Sequence, residues 1–289
     1  MTGVVLCVGA LSLDTIFRLD ELPAGPGKFL PSDAIEIAQG MATAQAATIV
    51  RLGGRARLWA SSGDDATGDR IVAQLTDAGI DLSALRRVPG ARSGFSSIFM
   101  DRHGERTIVP YYDPAIRAAP EALPPMDDVA VVSVDVRWPD AAAMALGAAR
   151  ERGIPGVLDV ERGPDDVLAR LISLASHVIA SEAGALQVTG MKPETAALTI
   201  AARCRGFVAV TAGEGGVHWA GGHIPAHRIE TVDTLAAGDV FHGAFAFGQT
   251  EGWEVERSLR FAAAAAAIKC TRFGGRLGAP TRAEVEALL

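Results

Sequence analysis

Val129-Ala130-Val131-Val132-Ser133-Val134 is a nearly unbroken apolar run, and Pro139–Arg152 follows it with helical spacing as far as Gly153. Gly156-Val157-Leu158-Asp159 then returns to an apolar run too short for a helix. A buried strand, a helix opened by proline and closed by glycine, and a second buried strand make a β-α-β unit with parallel strands. Toward the C-terminus the alternation repeats: Asp165–Ala175 helix, Val178–Ala180 strand, Glu194–Arg203 helix, Phe207–Thr211 strand. Helices near Gly238–Gln249, Glu256–Thr271 and Arg282–Leu289 close the chain. Toward the N-terminus, Val4–Val8 reads as a buried strand ending at Gly9, and Ala42–Leu52 as a helix stopped by Gly53-Gly54. Arg57–Ser61 reads as a strand and Gly68–Ala78 as a helix. The fold class is therefore α/β with a mostly parallel central sheet.

Four early segments break the scheme. Asp14–Leu19, Ala34–Ile37, Gly94–Met100 and Arg106–Tyr112 alternate apolar and polar residues, and Asp101-Arg102-His103-Gly104 is a hairpin signal. They predict a small β lid from two segments, 11–37 and 93–114, over an α/β body made of 1–10, 38–92 and 115–289. Ligands of such sheets sit at the carboxyl ends of the strands. The loops after Val8, after Thr211 and before Gly238 are the places to look.

Composition narrows the function classes. Of 289 residues, 27 are Lys or Arg and 34 Asp or Glu, a net charge of −7 with no basic block, so a nucleic-acid or anionic-membrane partner is not expected. Cys7, Cys204 and Cys270 are far apart and form neither a disulfide framework nor a zinc site. The alanine run 262–267 is far short of the roughly 20 apolar residues that span a bilayer. The N-terminus is apolar without a basic leader, so a soluble, cytoplasmic protein acting on small molecules is expected. His223 and His227 are separated by Pro225, which rules out a helical metal pair. Only Lys28, Lys192 and Lys269 are lysines.

Chemistry concentrates in Asp233-Thr234-Leu235-Ala236-Ala237-Gly238-Asp239-Val240-Phe241-His242-Gly243. Ile229–Val232 reads as a strand leading into it. Small residues at 236–238 let backbone approach a ligand, and N–H groups at a helix start favour an anion. From the residues alone Asp239 suits two roles: a helix-capping carboxylate, or a base that takes a hydroxyl proton while the N–H groups stabilise a transferring phosphoryl group.

That stretch resembles the closing motif of the ribokinase-like (PfkB) carbohydrate kinases, commonly D-T-x-G-A-G-D, with Ala236 in place of the commoner glycine. The resemblance extends over nearly the whole chain and implies a three-layer α/β sandwich with a β lid. It implies Asp239 as catalytic base, and the backbone of Ala236, Ala237 and Gly238 as anion hole. Gly9-Ala10-Leu11-Ser12-Leu13-Asp14 resembles the first-strand motif, making Asp14 a sugar ligand. Gln39-Gly40-Met41-Ala42-Thr43-Ala44-Gln45-Ala46 stands where the family has G-G-N-x-x-N-x-A. Gly40 is kept and Ala44 replaces a sugar-binding Asn. Thr211-Ala212-Gly213-Glu214-Gly215-Gly216 resembles the T-x-G-x-x-G nucleotide loop, which implies Thr211, Gly213, Gly216 and Gly238 at the nucleotide. Ser181-Glu182-Ala183-Gly184 occupies the N-x-x-E position, with Ser181 and Glu182 toward the nucleotide. Gly184 lacks the usual carboxylate, leaving Glu182 as a water-mediated magnesium contact and no direct metal ligand. No G-x-x-x-x-G-K-S/T loop occurs, which excludes an ordinary P-loop enzyme.

Gly27-Lys28, Asp135-Val136-Arg137-Trp138, the D-V-F-H-G form at 239–243 and Lys269-Cys270-Thr271-Arg272-Phe273-Gly274-Gly275-Arg276 resemble the sulfofructose kinases, a branch acting on 6-deoxy-6-sulfofructose. This implies Lys28 and Arg137 as sulfonate ligands, in keeping with the bidentate fork of arginine. By charge statistics alone, Lys28 is a solvated lysine and Arg137 a partner of Asp135 or Asp140. Pro110 stands where that branch has an Asn, beside Tyr111 and Tyr112.

The expectation is thus an ATP- and Mg²⁺-dependent kinase that phosphorylates a primary hydroxyl of a ketose-like sugar, 6-deoxy-6-sulfofructose first. A monovalent cation and a homodimer formed through the lid are further expectations. The alternatives are a ribokinase- or ketohexokinase-type neutral-sugar kinase, a phosphosugar kinase, and a kinase-fold sugar sensor without turnover.

Overall fold

The computed structural model describes residues 3–204 and 206–289; Met1 and Thr2, the start of the expected 1–10 body segment, lie outside them, as does Arg205. The chain runs β1 (Val4–Val8), β2 (Ser12–Arg18), β3 (Asp33–Gln39), α1 (Met41–Arg51), β4 (Arg55–Trp59), β5 (Ser61–Gly63), α2 (Ala66–Asp77), β6 (Arg86–Val88), β7 (Phe95–Met100) and β8 (Arg106–Tyr111). It continues through β9 (Val129–Val134), α3 (Pro139–Arg152), β10 (Gly156–Val160), α4 (Asp165–Leu174), β11 (His177–Ser181), α5 (Glu182–Thr189), α6 (Pro193–Ala201) and β12 (Phe207–Thr211). Then come β13 (Val217–Trp219), β14 (Gly222–Ile224), α7 (Ala237–Thr250), α8 (Val255–Cys270) and α9 (Arg282–Leu288).

The large sheet has the order β14-β13-β12-β11-β10-β9-β1-β4. From β4 to β12 every neighbour is parallel, and β13 and β14 add an antiparallel edge. Alternate residues face opposite layers: Val5 and Cys7 join a core with α1, α7 and α8, while Leu6 and Val8 join one with α3, α4 and α6. The three-layer α/β sandwich follows from that double burial. The alanine run of α8 lets it lie close against α7. After β1 the chain goes first to β4 on one side and later to β9 on the other, so a crevice opens at the carboxyl ends of β1 and β9.

A separate four-stranded sheet has the order β3-β2-β7-β8. Its inner face carries Ile16, Ile37, Ile98 and Met100, which close on Leu235, with Phe273 packed alongside. The same face aligns Asp14 with Ser96 and Ser96 with Pro110. Pro110 is tolerated because β8 is an edge strand. The 101–105 turn forms as expected, with Gly104 at φ 81° and the Asp101 carboxylate accepting the His103 and Glu105 N–H groups.

One local expectation needs correction. Ile229–Val232 is not a strand: the sheet edge is taken by the β13–β14 hairpin, and the Val232 and Asp233 N–H groups donate to Cys270 O at 2.8 and 3.1 Å instead. The short β5–β6 pair, the β13–β14 hairpin and helix α5 also form, unforeseen, on stretches of three to eight residues too brief to show a period.

Candidate active site

The catalytic-looking loop is held from below. The Asp233 carboxylate accepts from Leu235 N at 2.6 Å, from Gly274 N at 3.0 Å and from Gly275 N at 3.1 Å. It also pairs with Lys269 Nζ at 2.9 Å, both side chains being fully buried. Lys269 Nζ donates to Asp233 O as well, at 2.6 Å. Arg276, equally buried, donates Nε to Ala38 O and its backbone N–H to Gln39 Oε1. The 269–276 stretch thus couples the loop to the end of β3.

Ala236, at φ 63°, is the one non-glycine residue at positive φ among the described residues. That left-handed turn points the next peptides outward. The Gly238 and Asp239 N–H groups have no protein acceptor among the described residues. A Cβ placed on Gly238 would meet open space, so the loop offers an accessible donor pair at the start of α7.

Asp239 is half-buried in the first turn of α7, and no protein donor neutralises it among the described residues. Burial, reinforced by the Asp159 carboxylate, pushes it up to about 8. Asp159 itself is driven well above the usual carboxylate range by burial, with Glu161 and Asp135 adding to it. A polar chain runs beneath: Ser133 Oγ donates to Gln45 Oε1 at 2.8 Å, and Gln45 Nε2 donates to Asp159 Oδ2 at 3.1 Å. His242 Nδ1 lies 3.4 Å from Asp159 Oδ2 and 2.7 Å from Gly238 O, while Nε2 lies 3.2 Å from Ile179 O. His242 therefore ties the first turn of α7 to β10 and β11.

At the β1–β9 crevice, Asp135 is the organiser. Its buried carboxylate accepts from Ala10 N at 2.7 Å, Ala42 N at 3.0 Å and Arg137 N at 2.7 Å. Gly9 is required there, since a Cβ would collide with that carboxyl, and Gly40 is required because it packs on Ala10 O. Asp14 is buried and accepts from Ser12 Oγ at 2.7 Å; burial raises its pKa against that bond. Ser96 Oγ faces Asp14 across the β2–β7 pair and, with Ser12, opposes that rise. Tyr112 lies close by, raised first by burial and next by Asp14, with Arg137 opposing.

The other half of the crevice lies at β11 and β12. Ser181 and Thr211 are register partners at the ends of these strands. The Ser181 hydroxyl caps α5 by accepting Gly184 N at 3.0 Å, and Glu182 beside it is exposed. Gly213 and Gly216 both have positive φ, and Gly216 packs on Ile224 O. His218 and His223, stacked at 4.3 Å, each place Nε2 near Gly215 O and buttress the loop.

A backbone donor pair, an ionisable carboxylate beside it, the Asp135-centred crevice and the Gly213–Gly216 turn thus lie at the carboxyl ends of a mostly parallel sheet. The model of the pfkB family of carbohydrate kinases matches residues 3–282. The chain belongs to that family. A ribokinase of Bacillus subtilis is 28% identical over 295 residues, covering 99% of both chains. A crystal structure of a ribokinase candidate from Agrobacterium tumefaciens superposes with a TM-score of 0.95 at 43% identity, covering 100% of this chain and 97% of that one. Arabidopsis thaliana ribokinase, solved with ribose and ATP, gives 0.85 at 25% identity and covers 100% and 99%. The protein is an ATP-dependent sugar kinase of this ribokinase-like family.

Within this pfkB kinase the expected residues fall into groups. Arg137 N donates to Asp135, Gly40 packs on Ala10, whose N–H also donates to Asp135, Asp14 bonds Ser12 on the small sheet, and Ala236, Ala237, Gly238 and Asp239 form the loop. Lys28 does not join them: it is exposed in the 20–32 segment and makes no hydrogen bond or ion pair among the described residues. Gly184 is tight against Val160 O, so the family carboxylate has no room there. Asp135, Asp159, Glu161, Gln45 and His242 were not singled out as site residues from sequence. The one usable signal was an acidic residue at the end of each buried strand, Asp135 after β9 and Asp159 within β10.

Proposed function

We propose that this kinase transfers the γ-phosphate of ATP to a primary hydroxyl of a ketose-like sugar with an anionic far end, 6-deoxy-6-sulfofructose being the best candidate. The observation that carries this is the Arg137 guanidinium: it lines the crevice beside Tyr112 and has no carboxylate partner among the described residues. Asp14 and the Ser96 hydroxyl beside it would meet the sugar hydroxyls. Asp239, once ionised, accepts the proton of the attacking hydroxyl as its oxygen bonds the γ-phosphorus and the bond to ADP breaks. The Gly238 and Asp239 N–H groups stabilise charge on the transferring group. Thr211, Gly213 and Gly216 would line the nucleotide, with Ser181 and Glu182 at its edge. Lys28 enters the site only if the 20–32 segment brings it there.

Among the described residues no three acidic, His or Cys side chains form a metal cluster. Mg²⁺ keeps several waters and arrives on phosphates, and Glu161 or Glu182 would hold it through water. When bound it offsets phosphate charge. A monovalent cation is part of the same proposal, as is a cytoplasmic setting where ATP is supplied; no helix among the described residues is long and apolar enough to cross a membrane. Phe95, Val109 and Tyr111 are exposed on the outer face of the small sheet, which supports a lid-to-lid homodimer that light scattering would test.

Neutral ribose is the second reading, favoured by the ribokinase names of the relatives above. The deciding experiment is ADP release with Mg-ATP against 6-deoxy-6-sulfofructose, fructose, fructose 6-phosphate and ribose. A lead for the sulfosugar by orders of magnitude supports the first reading; a lead for ribose replaces it.

A further inference from the structure

Arg117 and Arg137 line one crevice together with Gly9, Ala10, Tyr112 and Trp138. Among the described residues neither guanidinium has a carboxylate partner. Arg117 Nε donates to Arg137 O at 3.2 Å, and Arg137 Nη1 donates to Arg162 O at 3.0 Å. A guanidinium carries five N–H donors, so most of both forks is left over. Asp135 and Asp159 lie within electrostatic reach of Arg137, but neither forms a salt bridge with its guanidinium among the described residues, and two such forks bordering the same crevice are complementary to an anion.

Arg117 is also held in place. It ends a 3-10 turn, Pro114–Arg117, capped by Asp113 accepting Ala115 N at 2.9 Å. Behind the turn Arg86 donates Nη2 to Ile116 O and Ala118 O, each at 3.0 Å, while its guanidinium lies 4.7 Å over the Trp138 ring. Trp138 Nε1 donates to Ala118 O at 3.0 Å. Trp138 directly follows Arg137, so one Arg86–Trp138 stack backs both arginines. Pro110 offers no donor to this end of the site, and Tyr111 is turned to the outer face, against Phe95 and Arg92.

We propose that Arg117, together with Arg137, binds the terminal anionic group of the acceptor sugar, a sulfonate or a phosphate, and sets the preference for anionic over neutral ketoses. This rests on the anionic-substrate reading above.

The test compares kcat/KM for 6-deoxy-6-sulfofructose, fructose 6-phosphate and fructose in the wild type, Arg117→Gln and Arg117→Lys. The expected result is that Arg117→Gln lowers the anionic-to-neutral ratio tenfold or more, through KM rather than kcat, and that Arg117→Lys restores much of it. Whichever anionic sugar leads identifies the group. A ratio that stays within twofold in Arg117→Gln overturns the assignment while the substrate reading stands. If the wild type prefers fructose, the substrate reading fails, and inorganic sulfate decides Arg117 separately. Inhibition competitive with the sugar and weakened tenfold in Arg117→Gln upholds the anion site; inhibition that is equal in both, or competitive only with ATP, overturns it.

Discussion

Asp159 and His242 meet beneath the first turn of α7, with Oδ2 and Nδ1 3.4 Å apart and both side chains buried. Burial drives the carboxyl up and the imidazole down. Asp239, three residues before His242, is pushed up to about 8 first by its own burial and next by the Asp159 carboxylate, with His242 opposing.

The proton-accepting form of Asp239 is the ionised one, so kcat/KM should rise with pH along a limb with an apparent pKa near 8 in the free enzyme. Asp159 raises this value, so Asp159→Asn should move the limb to lower pH. A pH–rate profile of both proteins checks this; an unmoved limb removes Asp159 from the electrostatics of the site.

Asp239→Asn should cost about 10²–10⁴-fold in kcat. The same substitution should also stabilise the fold at high pH. A carboxyl whose folded pKa is raised to about 8 favours the folded state less as pH climbs from 4 to 8, because the unfolded chain ionises first. Asn removes that loss. Calorimetry should show Tm higher than wild type by about 2–4 °C per kcal/mol at pH 9, and no difference near pH 3.

Lys269→Met should destabilise by about 3–5 kcal/mol, because it leaves the Asp233 carboxylate buried without its cation. Urea denaturation with an unchanged m-value would report it. A loss under 1 kcal/mol would mean that the three N–H donors to Asp233 suffice alone.

Ala236→Gly should stabilise by about 0.5–1 kcal/mol, the left-handed penalty of an alanine at φ 63° exceeding the entropy cost of glycine. The midpoint of chemical denaturation measures it directly.

What the sequence determined by itself was local and periodic. The run Val129–Val134, the helix Pro139–Arg152 and its Gly153 stop are read from apolar spacing and backbone allowances that hold wherever the segment sits. The small residues and helix start of the 233–243 motif are likewise legible locally, though Lys269, Gly274 and Gly275 hold the loop from a distance, and the alternation of 14–19 and 94–100 marks a sheet with one face covered. Tertiary structure decided whatever depends on which distant segments become neighbours. Ile229–Val232 has strand composition, yet β13 and β14 hold the edge and Cys270 O takes its N–H groups. Asp135 looked like an ion-pair partner for Arg137; instead three backbone N–H groups from residues as far away as Ala10 converge on it, and the guanidinium, bonded to Arg162 O, forms no ion pair among the described residues. Lys28 and Arg117 show the same limit from opposite sides. A charge is spent or available according to what surrounds it in space, and spacing along the chain does not record that.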